Sequence, residues 1–231
     1  MSIGTIAQEI DLNIKSRAQE LAGSTNVNAI VDTLILAQPL SSSATKITFP
    51  ILKDDQTGTT GITLEKRLNR QDVFMASRWG FFLAKAASVA AVKDAEMFTY
   101  DNATALDTAT ATGVKALYNR GLVNYKVDNT ETLGNFPLKK FYRVPSIQDG
   151  TTLTAYVNAA SADATTTLAL DGQDYDTNMP SIFPLSQFAF DGNVDNELSI
   201  NLPSGLTLAP TSGSIYAVFV FDGWTVKGAA K

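Results

Sequence analysis

The stretch DVFMASRWGFFLAK, residues Asp72 to Lys85, is the densest run of large apolar side chains in the sequence. Its apolar residues fall at both odd and even positions, so neither face of a strand formed here would be fully wet. That pattern is typical of a strand covered on both faces, or of a buried helix. Aromatic residues around Gly80 favour the strand, because aromatics suit a pleated sheet and glycine weakens a helix interior. We therefore expect a central strand, covered by an opposite sheet and by the segment that follows it.

Arg78 lies inside this run, between Ser77 and Trp79. If the strand is buried on both faces, Arg78 needs a carboxylate or carbonyl partner. An exposed Arg78 with an exposed Trp79 beside it would instead mark an interface.

The absence of two residue types narrows the chemistry open to this chain. Its 231 residues include no cysteine and no histidine. Thiolate nucleophiles, disulfides, Cys/His zinc sites, Ser-His-Asp triads and histidine acid–base catalysis are therefore excluded. No apolar run is long enough to span a bilayer and no secretion signal is evident at the N-terminus, so we expect a soluble protein. Because the sequence carries no catalytic signature, we expect that the protein is not an enzyme.

Charge is spread unevenly along the chain, whose net charge is −5. Residues 1–143 carry 16 Lys/Arg against 14 Asp/Glu, whereas residues 144–231 carry two lysines against nine acidic residues. This asymmetry indicates either an acidic, soluble β region or a protein that turns one face toward a partner.

An amphipathic helix is expected at the N-terminus, from Ser2 to Ala22. Ser2 can cap its start and Gly23 can close its end. This helix either packs on its own domain or docks on a neighbouring subunit as an arm. The apolar positions that define its stripe are Ile3, Ile6, Ala7, Ile10, Ile14, Ala18 and Leu21. We accordingly divide the chain into an arm, 1–23, and a β body, 24–231, with a possible sub-boundary near 145–150.

Short β-strands separated by turn residues are expected through the β body. Such spacing is typical of a sandwich or barrel that closes to protect its edges. Pro50 implies an edge position or a bulge, and Asp222-Gly223 a bulge or bend. Helical turns are expected within 86–97, and 106–119 is ambiguous. The candidate strands are 29–36, 46–52, 62–68, 72–85, 121–127, 138–144, 151–158, 165–170, 185–190, 197–202, 206–208 and 214–227.

The predicted fold class is thus mainly β. We expect a jelly-roll-like β-sandwich or barrel, with an N-terminal amphipathic helix and one or two short helices in the middle of the chain.

A candidate calcium site follows the spacing D-x-N-x-D-x-E at Asp191, Asn193, Asp195 and Glu197. Calcium takes several oxygen ligands from a tight loop, and these four side chains could supply them. The alternative is a solvated acidic turn, since the pattern departs from an EF-hand loop. The same two interpretations apply to a second cluster, Asp171, Asp174 and Asp176. No other cofactor is expected, because no glycine-rich phosphate loop follows a strand.

The sequence offers two other candidate ligand sites. Lys139, Lys140 and Arg143 interleave with aromatics, as in proteins that bind single-stranded nucleic acid, although a solvated or intersubunit strand face is the simpler interpretation. Paired carboxylates could hydrolyse glycosides. However, Trp79 and Trp224, which might form a sugar platform, lie inside apolar strands and are expected in the core.

Three stretches together resemble the virion structural proteins of bacteriophages, in particular the jelly-roll capsid proteins of tailless icosahedral phages. They are LNRQDVFMASRWGFFL (68–83), VKALYNRGLVNYKVD (114–128) with LKKFYRVP (138–145), and LSINLPSG followed by SIYAVFVFDGWTVKG (198–228). The resemblance implies a self-assembling capsid subunit located in the virion and assembled in the host cytoplasm. Its partners would be copies of itself, contacted through the arm 1–22, and other virion proteins.

Several alternatives stay open at this point. The length of the chain favours a single or very compact pair of jelly rolls, and the helical possibilities at 86–119 leave room for the capsid fold with a spine helix. An auxiliary virion protein, such as a spike, tail or decoration subunit, is the second interpretation. A carbohydrate- or surface-binding β-sandwich module is the third.

Overall fold

The fold is taken from a computed structural model. It describes Ser16, Glu20 and the ranges 28–51, 68–69, 71–102, 105–128, 130–143, 182–210 and 212–228. Ser16 and Glu20 are helical and exposed. The rest of the expected N-terminal helix lies outside the described residues, as do the boundary near 145–150, the strands expected at 151–158 and 165–170, and nearly all of 62–68. The helix and the division into arm and body therefore stay predictions.

Two antiparallel sheets make up the described structure, which confirms the mainly β prediction. Sheet A contains β1 (Ala29–Pro39), β3 (Val73–Ala86), β4 (Met97–Phe98), β7 (Ile182–Asp191) and β9 (Ser214–Val226). Sheet B contains β2 (Lys46–Ile51), β5 (Leu122–Val127), β6 (Thr130–Pro137) and β8 (Asn196–Asn201). One α-helix, α1 (Thr108–Arg120), and two 3-10 turns, Val92–Asp94 and Leu138–Phe141, lie between strands.

The strand order places the two longest apolar segments in the middle of sheet A. That order is β1-β9-β3, and the far edge of β3 pairs with β7 along its first half and with β4 near its end. Sheet B has the order β2-β8-β5-β6. β2 is thus an edge strand, as Pro50 implied, since a proline cannot donate to a second neighbour.

Trp79 lies at the centre of the core between the sheets. Its ring centroid lies 5.8 Å from that of Phe219 in β9, 5.0 Å from Phe136 in β6 and 4.7 Å from Phe141. Aromatic pairs in such geometries add stabilisation beyond the area that they bury. Trp79 is 1% exposed, so it serves the core and offers no sugar platform.

Sheet A is apolar on its outer face as well. Phe82 of β3 and Val218 of β9 point away from sheet B and pack with Val92 of the 3-10 turn that follows β3. The prediction for the opening stretch is therefore confirmed, because a sheet covers one face and the next segment covers the other. Sheet B differs, since its outer positions are polar, including Asn124 and Ser199.

A bulge at Ser77 explains the irregularity expected at Asp222-Gly223. The register between β3 and β9 shifts between Ala76 and Arg78, so the extra residue lies on β3, opposite the predicted position. A Cβ added to Gly223 would lie 1.9 Å from the carbonyl oxygen of Met75, so only glycine fits this close approach. The Ser77 hydroxyl donates to the carbonyl oxygen of Asp222 at 3.0 Å.

Arg78 is exposed while Trp79 beside it is buried. The expectation that Arg78 would be buried and need a partner is therefore wrong. The residue sits directly across from Asp222 on the outer face of sheet A. The strand is core on its inner face, Arg78 is its one exposed position, and Lys85 near its end is half-buried.

Two predicted strands are wrong, and two strands, the two-residue β4 and β6, were missed. Residues 138–141 form a 3-10 turn, because Leu138 and Phe141 are both buried and lie three residues apart, whereas a strand would need a period of two. Residues 206–208 are irregular and pass over α1. β6, at Thr130–Pro137, was not predicted, since its mostly exposed and polar positions carry little apolar pattern.

Candidate interaction surfaces

The four predicted calcium ligands lie around the turn between β7 and β8. Asp191 is the last residue of β7 and Glu197 the second residue of β8. The Asn193 amide donates to the Asp191 carboxylate at 2.8 Å, which is the hydrogen bond that closes an Asx turn. Glu197 points to Lys46 in β2 instead, with Oε1 2.8 Å from Nζ. The local contacts of Asp191 and Glu197 are therefore those of a hydrogen-bonded turn and an exposed ion pair.

This turn is also locked to the hairpin between β5 and β6. The Asp195 amide donates to the Asp128 carboxylate at 2.9 Å, and the Asp128 amide donates to the Asp195 carbonyl at 3.0 Å. No group of three or more acidic side chains that could hold a metal ion occurs in the part of the chain that the structure describes. Calcium binding at 191–197 stays a prediction, and the cluster Asp171, Asp174 and Asp176 lies outside the described residues.

A buried tyrosine supports the turn from below. The Tyr125 hydroxyl lies 2.6 Å from Asn196 Oδ1 and 3.2 Å from the Ala189 carbonyl oxygen. Burial, with a smaller contribution from the nearby Asp191, raises the pKa of the Tyr125 phenol well above its usual value. The side-chain amide nitrogen of Asn196 in turn donates to the backbone carbonyls of Asp191 and Val194. Sequence alone pointed to the acidic residues and missed Tyr125 and Asn196, which organise them.

The basic residues singled out in the sequence lie on the 3-10 turn and just after it. Lys139 and Lys140 are exposed, and the ammonium of Lys140 lies 4.9 Å from the ring centre of Phe136. The Leu138 amide donates to the carbonyl of Gly121 at 2.9 Å, which brings the turn against the end of α1. α1 presents two more exposed cations, Lys115 and Arg120, that no sequence pattern had connected with them.

The start of β1 carries the most exposed apolar side chains. Ile30 is 47% exposed and Val31 is 76% exposed, and these are the only large hydrophobic residues classed as exposed among those the structure describes. β1 pairs with β9 on one side and, within the described ranges, has no strand hydrogen-bonded to its other side. An open strand edge that carries apolar side chains is a template for pairing with another chain.

Across the described ranges, we find no helix whose length and apolar character would suit it to cross a membrane. Comparisons of the chain with protein-family models, with curated proteins and with solved structures find no match.

Proposed function

We propose that this chain is a jelly-roll subunit that self-assembles into the capsid of a bacteriophage. The observation that carries the proposal is the order in which the strands pair. With the two-residue β4 set aside, the eight strands of the described residues pair in nested fashion: β1 with β9, β2 with β8, β3 with β7, and β5 with β6. Such nesting is what results when one long antiparallel ribbon is rolled up.

Two further pairings support the jelly roll. β9 also pairs with β3, and β8 also pairs with β5, so the rolled ribbon joins into two four-stranded sheets, β1-β9-β3-β7 and β2-β8-β5-β6. A double sheet of eight strands with this wrapping is the architecture of viral capsid and lectin domains, among others. Fold alone does not decide between such functions, so surface features must.

The exposed start of β1 favours assembly over a sugar-binding module. Ile30 and Val31 are exposed on β1, whose outer edge pairs with no strand in the described ranges, so a second protein chain could bury them there. Of the two tryptophans that could form the aromatic platform of a lectin, Trp79 is buried, whereas Trp224 is half-buried and does not lie in the core as expected. We propose copies of the same chain as the partner, with the arm 1–22 as a second contact and other virion proteins as further partners.

Sedimentation velocity of the full chain tests the role of the β1 edge. We expect large assemblies from the natural sequence and a shift to small species for Val31→Glu, because a carboxylate on this edge would have to be desolvated in the contact. Ala90→Glu is the matched control, since Ala90 is also exposed but lies in the loop after β3. Loss of assembly in both variants, or in neither, would count against the β1 edge as the contact.

The auxiliary virion protein is distinguished by size. A spike, tail or decoration subunit would give a small fixed oligomer or a ring, whereas a capsid subunit gives closed shells. Removing residues 1–22 tests the arm separately, and an intact shell from the shortened chain would remove the arm from the proposal.

A further inference from the structure

We propose that one end of the molecule binds single-stranded nucleic acid through its phosphates. This basic end consists of four exposed cations on α1 and the adjacent 3-10 turn: Lys115, Arg120, Lys139 and Lys140. The inference concerns binding by the subunit itself and does not depend on assembly. Where the proposed function also holds, it orients the subunit with the basic end toward the packaged genome.

The charge of this region is opposite to that of the protein as a whole. Residues 108–143 contain six Lys/Arg against two acidic residues, Asp128 and Glu131, in a chain whose net charge is −5. A local excess of one sign, on neighbouring elements, produces a field that attracts the opposite charge.

Contacts between α1 and the turn hold together the two elements that carry these cations. The backbone amide of Leu138 donates to the carbonyl of Gly121. Arg120 directly precedes Gly121 and Lys139 directly follows Leu138, so this bond lies next to both cations in sequence. The rings of Tyr118 in α1 and Tyr142 after the turn pack edge to face, with their centres 5.2 Å apart. The basic end is therefore presented on an ordered surface.

These cations are also unneutralised within the described ranges. Three other lysines form ion pairs there: Lys46 with Glu197, Lys85 with Asp107, and Lys227 with Asp72. Lys115, Lys139 and Lys140 have no such partner in that part of the chain, and Arg120 donates only to the Ser204 hydroxyl, at 3.2 Å. Unpaired cations are the ones free to replace the counterions of a phosphate backbone.

A nucleic acid fits this surface better than an acidic protein does. The buried centre of a protein interface is usually more apolar than the rest of the surface, whereas the exposed large hydrophobics of the described structure, Ile30 and Val31, lie on β1 and not on α1 or the turn. Phosphate binding needs charge alone. A second copy docking its acidic turns here is therefore the disfavoured occupant, and it becomes an outcome of the test.

The experiment is fluorescence anisotropy with two labelled probes, a 20-nucleotide oligo(dT) and a 20-nucleotide oligo(U). It is run on the full chain, at protein concentrations below those at which sedimentation detects assembly. Four phosphate contacts predict that the logarithm of the binding constant falls with the logarithm of salt concentration with a slope of about −2.8. Tighter binding of one probe would identify DNA or RNA as the source of the phosphates, and equal binding would indicate contact to phosphate alone; either result supports the proposal.

The deciding variant is K139Q/K140Q, which removes two charges from exposed positions. We expect the salt slope to fall to about −1.4 and binding at 0.1 M salt to weaken about 25-fold. K115Q/R120Q removes the other two charges and should give a similar loss, so the test survives if one variant folds poorly. The matched control is R78Q/K93Q, which removes two exposed charges from the outer side of sheet A and should leave binding nearly unchanged.

Three results would overturn the inference. The first is no salt-dependent binding of either probe by the natural chain. The second is an equal effect of K139Q/K140Q and the control. The third is a K139Q/K140Q variant that keeps oligonucleotide binding but loses self-association, which would make the basic end a subunit contact. None of these bears on whether the natural chain forms shells, so failure here is separable from failure of the proposed function.

Discussion

Gly223 illustrates how a single residue holds a local irregularity in place. Gly223 lies across from the bulge at Ser77. A Cβ added to it would lie 1.9 Å from the Met75 carbonyl oxygen, so any side chain would collide with that atom. We expect Gly223→Ala to lower the free energy of unfolding by about 1–3 kcal/mol, the range for overpacking a tight site. Chemical denaturation measures this.

Gly134→Ala is the control for that substitution. It also lies in a strand, but its added Cβ would meet only the end of the flexible Glu131 side chain. We expect a change within about 0.5 kcal/mol. Equal effects of the two substitutions would mean that the bulge does not need glycine.

Asp72 makes the second residue-scale prediction. Its carboxylate is 6% exposed, lies 2.6 Å from Lys227 Nζ and accepts the Gly228 amide at 3.1 Å, so it fastens the end of β9 to the start of β3. Asp72→Asn should cost about 1–2 kcal/mol, the low end for hydrogen bonds to a charged group because Lys227 is half-exposed. Glu197→Gln breaks an ion pair of which both partners are exposed and should cost less than about 1 kcal/mol. If both cost the same in urea denaturation, burial of Asp72 contributes nothing.

The buried phenol of Tyr125 should make the stability of the fold depend on pH. Burial raises the pKa of its phenol in the folded chain, so the folded state keeps a proton that the unfolded chain loses near pH 10. The contribution of the protonated Tyr125 to the free energy of unfolding is therefore complete below about pH 10 and falls as the pH rises above that value. Tyr125→Phe should lower stability at pH 7 by about 1–2 kcal/mol through its lost hydrogen bonds. That deficit should shrink between pH 10 and 11, and a deficit that stays constant in pH-dependent urea unfolding would contradict the assignment.

At the scale of elements, the sequence predicted best where apolar residues are dense. β3 and β9 were expected as long buried strands because their aromatic and branched residues stand at both odd and even positions. In the structure both strands lie in the middle of sheet A. The turn at Leu138–Phe141 was misread, since a charged pair between two apolar residues fits a strand and a 3-10 turn almost equally. The approach of the Lys139 turn to the end of α1 could not be predicted, because it depends on a tertiary contact between Gly121 and Leu138.

In α1, we expect replacement of Gly113 by alanine to have the opposite effect to the one that helix propensity predicts. Alanine ordinarily stabilises a helix interior by about 1 kcal/mol relative to glycine. A Cβ at Gly113, however, would lie 2.0 Å from the Thr207 carbonyl oxygen, where the loop after β8 crosses the helix. Gly113→Ala should therefore destabilise the protein by about 1–3 kcal/mol in thermal or urea unfolding. Lys115→Ala on the exposed side of the same helix should be nearly neutral, and a stabilising Gly113→Ala would show that the loop is not seated there.

At the scale of the whole molecule, local patterns could not give the topology. Most of the described strands were predicted from their own residues, β4 and β6 excepted, but the nested pairing of β1 with β9 and β2 with β8 joins segments far apart in sequence. The missing histidines and cysteines excluded many enzymes from the outset. That the exposed Ile30 and Val31 lie on a strand with one edge unpaired in the described part of the chain is known only once β1 has been placed at the border of sheet A.

The capsid proposal combines these features into one claim about the assembled state. Negative-stain electron microscopy of the purified full-length chain tests it most directly. The proposal predicts closed, isometric particles of uniform diameter, which Val31→Glu dissolves and Ala90→Glu leaves intact. A field of separate subunits or small rings, under conditions where the chain remains folded, would contradict it.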